Sequence, residues 1–295
     1  MTELDLRELR EIRAQRPEVL AEAAARRRRR PSSGGRAKLT IVAADHTARG
    51  VLAVRGAPGA MADRADLLRR LQVALSRPGV DGVVATADVL DDLLLLGALD
   101  DKLVLGSMNR GGLHRSSFEA DDRFTAYDAA TLEAMGFDGG KMLCRVDFAD
   151  DASAATLEAC GRAVTELAQR RMVAMVEPFI SHRAGGHMSN DLGTEAVVRS
   201  VAIASGLGAP SIYTWLKLPV VDGMEEVVAA TTLPVFLLGG DPDVEPETTY
   251  ARWASVLSIP GVRGLVVGRT LLYPADGDVA AAVDSAVSLV RDSGA

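Results

Sequence analysis

Ser211-Ile-Tyr-Thr-Trp-Leu-Lys217-Leu-Pro219 follows a helical segment that ends in Gly206 and Gly208, and it stops at a proline. It reads as a buried strand with a lysine near its C-terminal end. An ammonium group there is costly to desolvate, which marks it as a group with a task. The chain is sparing with lysine. Of 33 Lys+Arg, only Lys38, Lys102, Lys141 and Lys217 are lysines, and Lys141 and Lys217 both sit inside apolar, strand-like runs. Arginine keeps its proton at working pH and forms no imine. Lysine can lose the one and form the other.

Outward from that strand, apolar runs alternate with segments of helical period. Strand-like runs fall at 38–44, 80–86, 103–107, 140–146, 172–177, 211–218, 234–238 and 262–267. Helix-like segments fall at 61–76, 89–99, 126–135, 152–169, 191–205, 224–230, 247–257 and 279–290. Continuously apolar strands between helices imply a parallel sheet covered on its faces. Eight repeats predict a closed (β/α)8 TIM barrel. The alternative, an open doubly wound sheet, normally carries a Gly-rich first turn, and Ala44-Asp-His-Thr-Ala48 is not one.

Residues 3–30 read as an extra N-terminal helix, broken or kinked at Pro17, that ends in the run Arg26 to Arg30. Pro31-Ser-Ser-Gly-Gly35 reads as a linker, so 1–35 form an N-terminal extension and 36–295 the catalytic barrel. The arginine run suits a solvated helix end, where cations complement the dipole. A nucleic-acid or phosphate patch is the competing reading, and the acidity of the whole chain weighs against it.

The chain has 295 residues, 48% of them hydrophobic, and a net charge of −7. That balance excludes nucleic acid and anionic membranes as expected partners. Cys144 and Cys160 have no zinc or redox spacing and read as free cytosolic thiols. The first residues lack the pattern of a signal peptide, and no apolar stretch approaches the roughly 18 residues of a membrane span. A cytoplasmic enzyme that forms a homo-oligomer is expected.

In such a barrel the active site lies at the C-terminal ends of the strands, and polar residues collect there. Asp45 and His46 end the first run; Asn109 and Arg110 follow the third. Lys141, Arg145 and Asp147 belong to the fourth, Glu177 ends the fifth and Lys217 the sixth. Gly239-Gly240 follows the seventh and Gly268-Arg269 the eighth. Strand alternation puts Lys141, Leu143, Arg145 and Asp147 on one face, and Tyr213, Trp215 and Lys217 on another. If both faces point inward, two lysines and a carboxylate meet in the mouth. They suit a Schiff-base mechanism. One amine must be neutral to attack a carbonyl, a second cation nearby favours that form, and a carboxylate moves protons among carbinolamine, imine and enamine. The glycine turns after the seventh and eighth runs, with Arg269, suit a phosphate. His46, His114, His182 and His187 raise a metal-dependent reading. His182 and His187 flank a predicted loop without the spacing of ligands on one helix face, so neither metal nor cofactor is expected.

Gly136-Phe-Asp-Gly-Gly-Lys141-Met-Leu-Cys-Arg-Val-Asp147 resembles the fourth-strand motif of the class I tagatose-bisphosphate aldolases. The resemblance makes Lys141 an auxiliary lysine, Glu177 of Val176-Glu-Pro a proton shuttle and Lys217 the imine-forming lysine. It places Gly268-Arg-Thr270 at the sugar phosphate and matches Asp45 to a first-strand aspartate. That family follows this aspartate with Gln-Arg-Gly, whereas here His46 follows and Arg49-Gly50 comes later. The Asp-His pair looks more like the archaeal-type class I fructose-bisphosphate aldolases. The chain also resembles actinobacterial aldolase-like barrels associated with inositol breakdown.

The expectation is a class I aldolase acting on a phosphorylated ketose or keto-acid. Lys217 is the nucleophile and Glu177 the acid/base. Lys141 favours the neutral amine and binds oxygen, and Asp45 orients substrate or shares proton transfer. His46, Arg110, Arg145, Gly239, Gly240, Gly268 and Arg269 bind substrate. The inositol association points to 2-deoxy-5-keto-gluconate 6-phosphate, split into dihydroxyacetone phosphate and malonic semialdehyde, with Arg145 reading the second anion. The alternatives are a deoxyribose-phosphate-type aldolase, a fructose- or tagatose-bisphosphate aldolase, and a non-catalytic barrel that binds sugar phosphates.

Overall fold

A computed structural model of the chain describes residues 5–30, 38–109, 112–184, 187–240 and 245–294. The strands are β1 (Leu39–Ala44), β2 (Val80–Ala85), β3 (Leu103–Ser107), β4 (Gly139–Val146), β5 (Val173–Ala184), β6 (His187–Asn190), β7 (Thr214–Leu218), β8 (Val235–Leu238) and β9 (Val262–Val267). The helices are α1 (Leu6–Gln15), α2 (Glu18–Arg26), α3 (Arg64–Ser76), α4 (Ala87–Leu95), α5 (Ala129–Ala134), α6 (Ala152–Gln169), α7 (Thr194–Ser205), α8 (Met224–Ala229), α9 (Pro246–Leu257), α10 (Arg269–Leu272) and α11 (Val279–Asp292). Local chemistry starts several of them. The carboxylates of Asp63, Asp128 and Asp278 accept from backbone N–H groups at the starts of α3, α5 and α11. Pro246 opens α9, where its missing N–H costs nothing.

The sheet runs β4-β3-β2-β1-β9-β8-β7-β5, all parallel, and β4 pairs with β5 to close it. The molecule is a (β/α)8 TIM barrel of eight parallel strands inside a ring of helices. Alternation then sorts the side chains. Val42, Ala44, Val83, Ala85, Val104, Met142 and Val176 point outward and share one core with the helices. Ile41, Ala43, Val84, Leu105, Met175, Phe236 and Val266 form a second, smaller cluster, which fills the barrel interior. Trp215 packs against that cluster and stacks on Phe236 at 4.8 Å between ring centroids. With a period of two, each inward column continues to the C-terminal rim. Ala43 leads to Asp45, Leu105 to Ser107, Met175 to Glu177, Trp215 to Lys217 and Val266 to Gly268. Four of these columns thus end in polar side chains at one mouth, and the fifth in a glycine.

Two expectations about the strands need correction. The sixth run begins as a single 3-10 turn over Ser211–Tyr213, and β7 starts only at Thr214, so Tyr213 is not on the strand face of Trp215 and Lys217. The segment holding His182 and His187 is no loop. β5 runs on past the barrel rim and pairs antiparallel with β6, with His182 opposite Ser189 and His187 opposite Ala184. Both histidines are exposed. The N-terminal segment breaks at Pro17, as expected, into two helices, α1 and α2.

The arginine run is a solvated helix end only in part: Arg26, Arg28 and Arg29 are exposed, while Arg27 and Arg30 are not. Arg27 is buried, and its guanidinium donates to the carbonyls of Leu99, Lys102 (3.0 Å) and Gly136 (2.5 Å). Arg28 pairs with Asp100 and Asp101, Arg29 with Asp138, and Arg30 with Asp81 at 3.0 Å. Asp81 also accepts from the backbone N–H of Thr40 at 2.9 Å. The run therefore fastens α2 to the N-terminal face of the barrel, using barrel carbonyls and carboxylates rather than an outside anion. Among the described residues, no helix is long and apolar enough to cross a membrane.

Candidate active site

The mouth opens into a cavity of about 750 Å³. Its floor is a row of charges. Lys217 on β7 donates to Glu177 Oε1 at 2.9 Å, and Lys141 on β4 forms a short contact to Glu177 Oε2. Lys141 Nζ also lies 3.3 Å from Asp45 Oδ2, which accepts from Ser107 Oγ at 3.1 Å. The four residues are 1–8% exposed. Two ammonium groups alternate with two carboxylates, the arrangement that lets charges persist where water is scarce. The two lysines differ in one decisive respect. Lys217, Glu177 and Asp45 line the cavity, whereas Lys141 lies behind the carboxylates and does not. The amine that a substrate carbonyl can reach is that of Lys217.

His46 lies beside this row with its side chain 24% exposed, and its Nδ1 is 4.0 Å from Asp45 Oδ1. Burial holds the imidazole well below its usual pKa, and the cations of Arg269 and Lys217 push the same way. It is neutral at working pH. Gly268 makes room for it, since a Cβ there would lie 2.4 Å from the Ala43 carbonyl oxygen and 2.9 Å from His46 Cε1. Gly239, Gly240, Gly268 and Arg269 all line the same side of the cavity, joined by Arg252 from α9. Gly240 has φ +73°, a conformation that favours glycine. A phosphate would find backbone N–H groups and two guanidinium groups on that side.

Arg145 behaves otherwise than expected. It touches the cavity, but its fork is filled by Asp122, with Nε to Oδ2 at 2.9 Å and Nη2 to Oδ1 at 2.5 Å. Nη2 also makes a short bond to the Glu119 carbonyl. Arg145 pins the loop after β3 to β4 and is not a free reader of a second anion. Asp147 lies beyond the end of β4, where its carboxylate accepts from the Ala149 N–H at 3.0 Å, and it does not line the cavity. Arg110 falls outside the described residues.

Several cavity residues carry no motif. Arg49 donates to the Gly112 carbonyl at 2.8 Å and lies 3.5 Å from Glu119. Burial lowers its pKa, with Arg145 as a second cause. His114 faces Glu119 at 3.3 Å. Phe179, Met188, Ser189, Asn190 and Leu192 form a wall from the β5–β6 hairpin and the turn after it. Alternation along the third run could have reached Ser107, which holds Asp45; the hairpin wall gives no such signal, because β6 is four residues without apolar alternation.

Fold and site together define a (β/α)8 barrel with a lysine–carboxylate–lysine row at the mouth and a glycine–arginine turn beside it. The chain belongs to the Cgl0159-like family, whose model matches residues 37–287. It is similar to the crystal structure of Cgl0159 from Corynebacterium glutamicum at 52% identity and TM-score 0.95, with 99% of each chain covered. It shares its fold with an archaeal fructose 1,6-bisphosphate aldolase at 20% identity and TM-score 0.66, covering 92% of this chain and 99% of that one. A fructose-bisphosphate aldolase from Slackia heliotrinireducens follows at 14% identity and TM-score 0.59, covering 93% and 90%. No curated protein matches the chain in sequence.

Proposed function

We propose that the protein is a class I aldolase that cleaves, or forms, a phosphorylated ketose or keto-acid through an imine on Lys217. One observation carries this reading. The lysine that faces the cavity is joined through Glu177 to a second buried lysine at the mouth of the barrel. Lys217 attacks the substrate ketone. Glu177, in contact with both amines, relays protons between carbinolamine, imine and enamine. Lys141 supplies the neighbouring positive charge from behind the carboxylates, and Asp45 holds Lys141. Arg269, Gly239, Gly240 and Gly268 receive the phosphate. An archaeal fructose-bisphosphate aldolase of this fold, 19% identical over 92% of this chain, is described with its catalytic lysine bound to a carbinolamine, which fits the same chemistry.

The test is borohydride reduction in the presence of dihydroxyacetone phosphate, followed by mass mapping. The adduct is expected on Lys217. An adduct on Lys141 alone, or none from an enzyme that turns over, would remove the assignment.

For the substrate, the finer reading is a keto-acid phosphate such as 2-deoxy-5-keto-gluconate 6-phosphate, yielding dihydroxyacetone phosphate and malonic semialdehyde. Arg49 supports it: its Nη1 has no partner among the described residues, and it stands with the loop after β3 rather than with the phosphate turns. A cleavage panel of ketose phosphates with product identification decides between this substrate and a fructose or tagatose bisphosphate.

A further inference from the structure

We propose that Asp45 and His46 form a dyad: Asp45 holds the imidazole with its proton on Nδ1, and Nε2 takes the proton of the substrate hydroxyl as the carbon–carbon bond breaks. The inference rests on the aldolase reading above and assigns the one proton transfer that reading leaves without an acceptor.

Four observations carry it. His46 Nδ1 is buried and has no hydrogen-bond partner, and Asp45 Oδ1 lies 4.0 Å away. A lone pair on Nδ1 would face a carboxylate and be repelled; a proton there is attracted. That selects the Nδ1–H tautomer and leaves the lone pair on Nε2. The gap is too long for a hydrogen bond, and such contacts often tighten only when substrate docks. Second, Asp45 is anchored by its other oxygen, since Oδ2 accepts from Ser107 and faces Lys141. It is a fixed positioning residue. Third, the ring lines the cavity, yet Nε2 is neither among the buried unpartnered atoms nor bonded to any described residue, so this edge is the one open to a substrate. Fourth, both oxygens of Glu177 already accept from Lys217 and Lys141.

The step balances within the site. With the ketone carbon C2 held as an iminium on Lys217, Nε2 removes the proton from the C4 hydroxyl. The C3–C4 bond breaks and its electron pair becomes the C2–C3 double bond of an enamine, while the iminium nitrogen is neutralised. The C4 oxygen leaves as the carbonyl of the aldehyde. His46 is then an imidazolium facing the Asp45 carboxylate. Among the groups around the ring, Arg269, Lys217 and Lys141 oppose that charge, and Asp45 and Glu177 favour it. A phosphate docked at Arg269 offsets one opposing cation, so the base strengthens when substrate is bound.

The experiment separates two half-reactions in the wild type and in His46→Gln. Imine formation and enamine protonation are read by borohydride trapping of dihydroxyacetone phosphate on Lys217 and by solvent-deuterium uptake at its C3 carbon. Bond formation is read by condensation with an aldehyde panel that includes D-glyceraldehyde 3-phosphate. In His46→Gln, trapping and deuterium uptake should stay within about threefold of wild type while condensation falls roughly 10²–10⁴-fold. No adduct and no exchange in the wild type would overturn the aldolase reading itself. Adduct and exchange in both proteins, with condensation unchanged in His46→Gln, would overturn the dyad alone. Nitrogen NMR of the wild type gives a second readout that does not depend on the variant's folding. The chain has four histidines, and an Nε2–H tautomer at His46 would also overturn the dyad.

Discussion

Lys217 and Lys141 have the same side chain and share one carboxylate, yet one lines the cavity and the other lies behind it. In the proposed mechanism, the side of Glu177 that an amine occupies decides whether a substrate can reach it. Glu177→Gln keeps the shape of the bridge and removes its charge and proton capacity. Turnover should fall roughly 10²–10⁴-fold while a sugar phosphate still binds, as read by steady-state kinetics beside calorimetric titration. Unchanged turnover would take Glu177 out of the mechanism. His46 adds a stability signature. It stays neutral in the folded chain and protonates near pH 6.5 when unfolded, so unfolding takes up a proton below that pH. Its contribution is complete above about pH 6.5 and declines on acidification, by up to about 1.4 kcal/mol per pH unit, until the folded imidazole itself titrates. Asp45, Glu177, Lys141, Lys217 and Arg269 remain in His46→Gln, so urea melts of the two proteins isolate the histidine. The stability difference should move in favour of the variant as pH falls from neutrality. A difference independent of pH would show that the folded imidazole also charges.

The loop after β3 is held as an element by arginines. Arg145 grips Asp122 and the Glu119 carbonyl, Arg49 grips Gly112, and Arg183 on β5 donates to Ser117 at 3.0 Å. Asn109 ties the end of β3 to β4 by donating to the Leu143 carbonyl at 2.5 Å. Asp122→Ala leaves the Arg145 guanidinium buried without its carboxylate, and the loss should be about 3–5 kcal/mol in a denaturant melt. Arg145→Met acts through the same loop. It should lower turnover of a neutral-ended ketose phosphate and of a doubly anionic one by the same factor. A loss confined to the doubly anionic substrate would return Arg145 to the role of anion reader. Neither Asp122 nor the β5–β6 hairpin stood out in the sequence. Asp122 lies in a polar stretch without periodicity, and β6 is four residues with no apolar alternation.

The barrel as a whole holds the arginine clamp and the candidate site on opposite faces. The carboxylates and amines of the site lie at the C-terminal face, while α2 and its arginines close the N-terminal face. Arg27→Met removes donors from three barrel carbonyls and should cost about 1–3 kcal/mol of stability. Turnover at a temperature where both proteins are folded should be unchanged; a changed KM would connect the base of the barrel to the site. Among the described residues, no group of three or more His, Cys, Asp or Glu is placed to hold a metal ion. Exhaustive EDTA treatment should leave activity intact, and a loss restored by zinc would point to a metal-polarised carbonyl instead.

Periodicity by itself determined the barrel. Eight apolar runs spaced by helical segments have few ways to bury their faces, and a period of two carried Asp45, Glu177 and Lys217 to the ends of inward columns. Scarcity of lysine singled out Lys141 and Lys217 before any contact was known. Only the tertiary structure decided what each charge does. Arg145 and Arg269 are both arginines at strand ends, yet one is neutralised by an aspartate from a distant loop and the other stands beside a glycine turn in the cavity. The arginines of 26–30 look alike in the sequence, but Arg27 is buried while Arg28 and Arg29 lie at the surface. The role of a charge depends on its desolvation and on the nearest opposite charge. Both are set by residues far away in the chain, which local pattern does not encode.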